Sequence, residues 1–421
     1  MSSEGLTGGL TERAGLEFHR TTLDNGLTVI GERNPRAQSF AAGYFVRTGA
    51  RDETQELSGV SHFLEHMMFR GSARRGGDEV LREFDELGAK YNAYTSDETT
   101  VYYGSVLPER AGALLDLLSD MMRPLLRETD FETEKKVILE EIAMYEDRPA
   151  FKVFEEGGRL YYRGHPLGNP VLGSSASIRT LSRGAMLDYF RARYAPNNLV
   201  LALSGRYDWE AVLAQVSALT AEWQPQDAPR RYPELRPARG RQDLESAKLK
   251  RVHAVAYAPG VSAADPLRFA AGILASCLGA SSGSRLYWAL VDGGLADSAS
   301  LSHDGADGSG SFVGYLSCAP GLAPQVLDIF ERTLQDAQAG GLEAGEWERA
   351  QRKLATGLTL GGETPFGRLM SLGSSYLYTG DYRSVPALVE RIMNTGLDEA
   401  DRLLARRPFD ALFTAVLGPG A

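Results

Sequence analysis

Two histidines and a glutamate lie close together at residues 62–66, which read His-Phe-Leu-Glu-His. Residues four apart on an α-helix share a face, so His62 and His66 can direct both imidazoles at one metal ion. Glu65 comes one position before His66 and is rotated away from that shared face, which suits a general base rather than a ligand. This H-x-x-E-H spacing is the inverted form of the H-E-x-x-H motif and predicts a catalytic zinc site.

The surroundings of the motif strengthen this interpretation. Two histidines at this spacing also occur on helices where they are solvated or satisfied within a core, so the spacing alone is weak. However, the chain has six histidines in all, and two of them fall inside an amphipathic stretch, Leu57 to Phe69, which opens on a plausible helix cap at Ser58 and Gly59. A catalytic zinc ion normally takes three protein ligands, so a third ligand must come from elsewhere in the chain.

Candidates for the third ligand lie in the strongly helical run from Glu132 to Tyr145, whose acidic residues include Glu134, Glu140 and Glu141. Glu134 and Glu141 are seven residues apart, or two helical turns, and therefore share a face. An acidic helix of this kind is usually an ordinary surface helix with its charges in water. The zinc motif upstream favours a ligand, and the residues alone leave open which glutamate it is.

Several segments together resemble the pitrilysin-like zinc peptidases, in the branch of half-length subunits that includes mitochondrial processing peptidase and bacterial relatives. The similarity covers most of the chain. The segments that carry it are SGVSHFLEHMMFRGS (Ser58 to Ser72), GAKYNAYTSDETTVYYG (Gly88 to Gly104), EKKVILEEIAMYEDRP (Glu134 to Pro149), HPLGNPVLGS (His165 to Ser174) and YAPNNLVLALSG (Tyr194 to Gly205).

The resemblance implies roles for individual residues. Glu141, 75 residues after His66, matches the third zinc ligand of that family, and Glu134 matches its helper carboxylate. Zinc would bring the pKa of a water molecule towards neutrality, and Glu65 would take the proton as the water attacks a peptide carbonyl. The function implied is a zinc-dependent endopeptidase that cleaves unstructured peptides, bound in extended conformation inside a dimeric chamber.

The hairpin after the motif is a candidate substrate-binding element. Residues 91–95 have the character of an exposed edge strand, to which an extended peptide can add through main-chain hydrogen bonds. Alternatively, Asn92 satisfies backbone groups at a bulge. In the resembled family this Asn-Ala segment contacts substrate beside the zinc, so the resemblance favours Asn92 and Ala93 as substrate-binding residues.

One departure from the family pattern keeps a second function open. Active members carry an Arg and a Tyr in a carboxy-terminal half that grip the substrate, whereas residues 308–320 offer Tyr315 and no Arg, and Arg285 looks like part of a packing motif. The chain could form a homodimer, or borrow these groups from a homologous partner in a heterodimer. It could also be a catalytically silent structural subunit of a larger complex, although such relatives tend to have lost zinc ligands.

Composition predicts an enzyme of the cytoplasm. With 421 residues, 43% of them hydrophobic, the chain can bury a large core and should divide into two domains. The two cysteines, Cys277 and Cys318, cannot form a disulfide framework and fit buried thiols of a reducing compartment. The first fifteen residues lack a signal pattern, and no run of 18 apolar residues occurs, so no membrane association is expected. A net charge of −10 argues against nucleic acid as a main partner.

The order of predicted elements indicates an α+β fold of two structurally similar α/β-sandwich domains in tandem, each a mixed sheet covered by helices. We expect an amino-terminal zinc-binding catalytic domain at 1–223, a linker rich in Pro and Arg at 224–243, and a homologous carboxy-terminal domain at 244–421. The second half repeats the order of strand, helix pair, hairpin and helices. It has no histidine at its counterpart of the zinc motif, so one metal site per chain is expected.

Overall fold

The computed structural model describes residues 15–419, so nearly all of the amino-terminal segment used to predict the absence of a signal lies outside the described residues. The strands, numbered in chain order, are β1 (Glu17–Thr22), β2 (Thr28–Arg33), β3 (Phe40–Val46), β4 (Lys90–Thr95), β5 (Thr100–Val106), β6 (Leu199–Gly205), β7 (Gly240–Glu245), β8 (Val252–Pro259), β9 (Ala296–Ala306), β10 (Ser309–Cys318) and β11 (Phe413–Gly418). The α-helices are α1 (Val60–Met68), α2 (Gly77–Glu86), α3 (Ala111–Met121), α4 (Glu128–Glu146), α5 (Pro149–Tyr161), α6 (Ser175–Thr180), α7 (Arg183–Arg193), α8 (Trp209–Thr220), α9 (Arg268–Gly279), α10 (Ala323–Gly340), α11 (Ala344–Gly361), α12 (Pro365–Thr379), α13 (Val385–Met393) and α14 (Leu397–Leu404).

The strands form two mixed sheets with the same internal order. The first sheet has the order β1-β2-β6-β3-β5-β4, and the second has the order β7-β11-β8-β10-β9. In the first sheet β2 and β6 are parallel while the remaining pairs are antiparallel. In the second sheet β7 and β11 are parallel while the remaining pairs are antiparallel. Apart from β1, the two sheets therefore repeat one five-stranded pattern, which confirms the predicted pair of similar α+β domains.

The chain divides into two compact units that do not follow each other simply along the sequence. The first unit comprises the described residues up to Ile142, together with Asn169–Tyr232 and Leu360–Pro386. The second comprises Ala143–Gly168, Pro233–Thr359 and the described residues from Ala387 onward. Helix α12 thus belongs to the first unit although it lies far along the chain, and α5 belongs to the second. The boundaries at 223 and 244 stay a prediction, and β7 begins within the segment expected to be a linker.

Each sheet is covered by helices on apolar faces. In the first unit, Leu369 and Leu372 of α12 are buried in one cluster with Phe45 of β3 and Val101 of β5. In the second unit, α5 covers one face of its sheet, and helices including α9 and α10 cover the other. Burial of these side chains is the main stabilising contribution, at roughly 1.5–3 kcal/mol for a fully buried large apolar side chain.

Helices α1 and α4 of the first unit bring the predicted site residues together. Phe63 of α1 stacks on Phe131 of α4 with ring centroids 4.8 Å apart, and both side chains are fully buried. Glu134 and Glu141 lie three and ten residues after Phe131 and fall near the same side of α4, so this contact turns both carboxylates towards the histidines of α1. Among the described residues, no helix is long and apolar enough to cross a membrane.

Candidate metal centre

Helix α1 begins at Gly59, whose backbone φ of +89° is in the left-handed region that glycine adopts most easily. Gly59 is the N-cap, within the Ser58 and Gly59 pair expected from the sequence, and the side chain that bonds the first N–H groups comes from a more distant residue. The carboxylate of Glu53, which is buried, accepts hydrogen bonds from the backbone N–H groups of Gly59 and Ser61, both at 2.7 Å. Glu53 therefore fixes the start of the helix that carries both histidines.

The candidate ligands converge on one point. His62 Nε2 lies 3.8 Å from Glu141 Oε2, and His66 Nε2 lies 3.5 Å from the same oxygen. One donor atom from each of the three residues can be chosen so that all lie within 4.8 Å of one another. Among the residues that the structure describes, this is the one group of three or more His, Cys, Asp or Glu side chains with that property.

Glu134 lies beside the ligand group rather than within it. One of its carboxylate oxygens is 2.9 Å from His66 Nδ1, and the other accepts a hydrogen bond of 2.6 Å from Arg70 Nε. A carboxylate bonded to Nδ1 fixes the orientation of the imidazole and leaves Nε2 for a metal ion. By contrast, His62 Nδ1 is buried and has no hydrogen-bond partner among the described residues. The two histidines are therefore held in different ways.

Glu65 is buried next to this group, and its carboxylate is bonded from the hairpin. Thr95, the last residue of β4, donates a hydrogen bond of 2.6 Å from Oγ1 to Glu65 Oε2. Glu65 is not part of the three-residue ligand group. Glu65 therefore lies beside the candidate ligand group without belonging to it, which is compatible with the role of a general base.

Burial and nearby charges set the protonation of these groups in the metal-free protein. Burial, together with the charge of His66, lowers the pKa of His62 to about 3, so its imidazole is neutral and has a lone pair for a metal ion. Burial acts to lower the pKa of His66 as well, but the hydrogen bond to Glu134 and the charges of Glu65, Glu134 and Glu141 outweigh it and raise the pKa. Burial raises the pKa of Glu65. Burial also acts to raise the pKa of Glu134, but the hydrogen bonds from His66 and Arg70 outweigh it, so the pKa of Glu134 is lowered.

The predicted substrate-binding residues lie on β4, the strand at the outer edge of the first sheet, which contacts α1. Asn92 is exposed, while the side chain of Ala93 is 8% exposed and faces the core. β4 pairs with β5 in continuous register from Lys90 to Thr95, so the bulge considered for Asn92 is absent from this strand pair. The other long side of β4 has no paired strand among the described residues.

Outside the site, the structure accounts for the remaining residues that the sequence singled out. The hydroxyl of Tyr315 lies 2.9 Å from His253 Nδ1, and its ring stacks on Phe154. Arg285 donates to the carboxylate of Glu346, with Nε to Oε2 at 3.0 Å, which fits the packing role expected for it. Cys277 and Cys318 are both buried free thiols.

Sequence reasoning missed three residues that bond to site residues or to the helix that carries them. Arg70 follows His66 by four residues, so helical spacing could have indicated it. Glu53 and Thr95 are further from the motif along the chain, at positions whose spacing carries no signal. Their contacts with α1 depend on how the loop before the helix and the β4–β5 hairpin fold back on it.

Comparison with sequence families supports this description. Residues 28–175 match a model described as "Insulinase (Peptidase family M16)", and residues 180–354 match one described as "Peptidase M16 inactive domain". An uncharacterized zinc protease of Streptomyces coelicolor is 32% identical over 414 residues, which span 95% of this chain and 89% of that protein.

Solved structures share the fold. A protease from Helicobacter pylori superposes with a TM-score of 0.89 at 18% identity, covering 96% of this chain and 100% of the other. A chain of Candida albicans complex III2 superposes with a TM-score of 0.84 at 18% identity, covering 95% of each chain. At these identities the similarity establishes the architecture alone.

Proposed function

This chain belongs to the insulinase family of peptidases, family M16, and we propose that it is a zinc-dependent endopeptidase of the H-x-x-E-H type. The observation that carries the proposal is the convergence of His62, His66 and Glu141 within 4.8 Å, with Glu65 buried beside them. Relatives named as zinc proteases support the same assignment.

The donor set fits zinc. Two imidazole nitrogens and one carboxylate oxygen are a ligand combination of catalytic zinc sites, which keep a further position open. Tetrahedral ligands about 2.0–2.2 Å from zinc would be separated by roughly 3.3–3.6 Å. The observed separations of 3.5 Å from His66 and 3.8 Å from His62 to Glu141 are close to this range. All three donor atoms lie within 4.8 Å of one another, so they would have to move closer together to bind one ion.

The roles of the residues follow from this geometry. When bound, zinc would polarise a water molecule and the carbonyl of the scissile peptide bond. Glu65 would accept the proton of the attacking water and return it to the amine that leaves. Glu134 would hold His66 in the tautomer that presents Nε2, and Arg70 would keep Glu134 ionised by its charge and hydrogen bond.

We further propose that the substrate is an unstructured peptide that binds in extended conformation along β4. Main-chain groups on the open side of this edge strand would bond to the peptide and leave its side chains little constrained. Asn92, exposed on the same strand, would add a side-chain contact. A peptide without fixed structure has its backbone N–H and C=O groups free for such bonds, whereas most of those in a folded protein are already paired.

The proposed function also includes assembly of the chain into a dimer. A dimer, with either a second copy or a homologous chain, would complete the enclosed chamber that the family resemblance implies. A heterodimer is supported by the engagement of the Tyr315 hydroxyl with His253, which leaves this tyrosine poorly suited to grip a substrate. Gel filtration and mass determination of the purified chain, alone and mixed with a homologous chain lacking the motif, would distinguish the two. A cytoplasmic location stays a prediction from composition.

A catalytically silent structural subunit is the second candidate, since a chain of a complex III2 assembly shares this fold. The complete ligand group and the buried Glu65 favour the enzyme.

Three variants test the enzyme proposal. Glu65→Gln should abolish cleavage of unstructured peptides yet keep about one zinc per chain, because it removes the base and keeps the ligands. His62→Ala should lose the metal. Glu140→Gln, which changes an exposed glutamate of α4, is the matched control and should behave like the parent. A parent protein that binds zinc and cleaves no peptide, alone or with a homologous partner, would favour the structural subunit.

A further inference from the structure

Thr95 makes a contact with Glu65 that the proposed mechanism does not yet use. Its Oγ1 lies 2.6 Å from Glu65 Oε2, which is a short distance for a hydroxyl that donates to a carboxylate. Among the described residues, Thr95 is the one whose side chain donates a hydrogen bond to Glu65. The second oxygen of that carboxylate, Oε1, accepts no hydrogen bond from any of the described residues.

The hydroxyl of Thr95 is itself held in place by the backbone. Thr95 pairs with Thr100 at the end of the β4–β5 ladder, and the turn between them is closed by a hydrogen bond of 2.8 Å from Ser96 N to Thr99 O. This turn is attached to the segment before α1, because Ala50 N donates to Ser96 O at 3.2 Å. A hydroxyl on a rigid strand end can fix a partner carboxylate, whereas one on a mobile loop could not.

A buried ion pair strengthens the same attachment. Arg51 and Glu98 form an ion pair whose side chains are almost fully buried, and Arg51 N donates to Asp97 O at 2.7 Å. Glu98 also accepts a hydrogen bond of 2.9 Å from Tyr378. Separating the hairpin turn from the start of α1 would expose or unpair these charges, which is costly in a buried site. The spacing between Thr95 and Glu65 is therefore structurally fixed.

We propose that Thr95 is a positioning residue for the general base, holding Glu65 by Oε2 so that Oε1 is presented to the proton of the attacking water. The inference rests on the proposed function, since it assigns Glu65 the role of base. It adds that one strand, β4, both receives the peptide and orients the base. Binding of a peptide along this strand would thus place its scissile bond in a fixed relation to Glu65.

The first test compares two substitutions that differ by the hydroxyl. Thr95→Val keeps the shape of the side chain and removes the donor, and Thr95→Ser keeps the donor. A positioned base contributes about 10²–10⁴-fold to a rate. We therefore expect kcat to fall by roughly 10-fold or more in Thr95→Val. KM and zinc content should be unchanged, and Thr95→Ser should remain within about threefold of the parent in kcat.

The second test does not depend on activity. Crystal structures of the metal-free parent and both variants should show the Glu65 carboxylate in one orientation in the parent and Thr95→Ser, and rotated or divided between orientations in Thr95→Val. An unmoved carboxylate in Thr95→Val would overturn the inference whatever the kinetics show. A displaced carboxylate with kcat within twofold of the parent would overturn it as well. If the parent cleaves no peptide, the peptidase proposal fails, and the structures alone decide whether Thr95 orients Glu65.

Discussion

Replacing Glu53 with alanine should loosen the start of α1. The Glu53 carboxylate accepts two buried hydrogen bonds, from the backbone N–H groups of Gly59 and Ser61. A buried donor without a partner costs about 1–3 kcal/mol, so two of them should cost about 2–6 kcal/mol. Since about 1.4 kcal/mol is a factor of ten, amide hydrogens of Val60–Met68 should exchange roughly 30-fold faster or more.

Hydrogen exchange measured by mass spectrometry on the metal-free protein can locate this effect in α1. Glu56→Ala is the matched control, because Glu56 lies in the same loop and is exposed, so its exchange should match the parent. Exchange of α1 in Glu53→Ala within threefold of the parent would refute the reasoning. Faster exchange spread evenly over the first unit would also refute it, since the lost bonds are local to the start of one helix.

Glu53 also makes the free energy of unfolding depend on pH. Burial raises the pKa of Glu53 to about 8 from 4.5, although the two N–H donors act in the opposite direction. Because the folded-state pKa lies above the unfolded one, folding favours the protonated carboxyl. This contribution to stability is complete below about pH 4.5 and is lost as the pH rises towards 8. The free energy of unfolding of the parent should therefore fall relative to Glu53→Gln, by at most about 1.4 kcal/mol per pH unit. A difference independent of pH between 5 and 8 would contradict this.

Three further substitutions probe the site and its supports. Glu134→Gln should weaken zinc binding about 10–100-fold in competition with a chelator, while Glu140→Gln should leave it unchanged. Equal zinc affinities of the two variants would show that Glu134 does not orient His66. Asn92→Ala should raise KM for peptides with little change in kcat, whereas Lys90→Ala, exposed on the same strand, should have no effect. Gly59→Ala should destabilise the protein by about 1–3 kcal/mol in chemical denaturation. The alanine would have to adopt a φ of +89° and would place its Cβ 2.6 Å from a backbone oxygen. An unchanged denaturation midpoint would contradict this.

Local patterns in the sequence predicted the elements that carry the site. A hairpin with an edge strand at 91–95 was predicted, and β4 spans Lys90–Thr95 and pairs with β5. By contrast, β7 was placed in a linker, since its residues are mostly exposed and show no apolar alternation. It is a strand only because β11, more than 160 residues later, pairs with it.

The site was predictable to the extent that spacing within a single helix, α1 or α4, places its residues on one face. His62, His66 and Glu65 follow from spacing within α1, and the pairing of Glu134 with Glu141 follows from the two-turn repeat of α4. Which glutamate lies among the ligands depends on the packing of α4 against α1, and the residues alone left that open. The hydrogen bond from Thr95 to Glu65 joins two residues that only the tertiary structure brings together, so no local sequence pattern predicts it.

The place of α12 in the first unit has a consequence for synthesis of the chain on the ribosome. Its residues bury Ala41 and Phe45 on one face of the first sheet, yet they are translated after most of the second unit. The apolar face of the first unit therefore stays uncovered until residues 360–386 have left the exit tunnel. Exposed apolar surface and unpaired edges favour aggregation at that stage. A fragment ending at residue 223 should for the same reason be insoluble or dependent on chaperones, whereas adding the α12 segment in trans should rescue it.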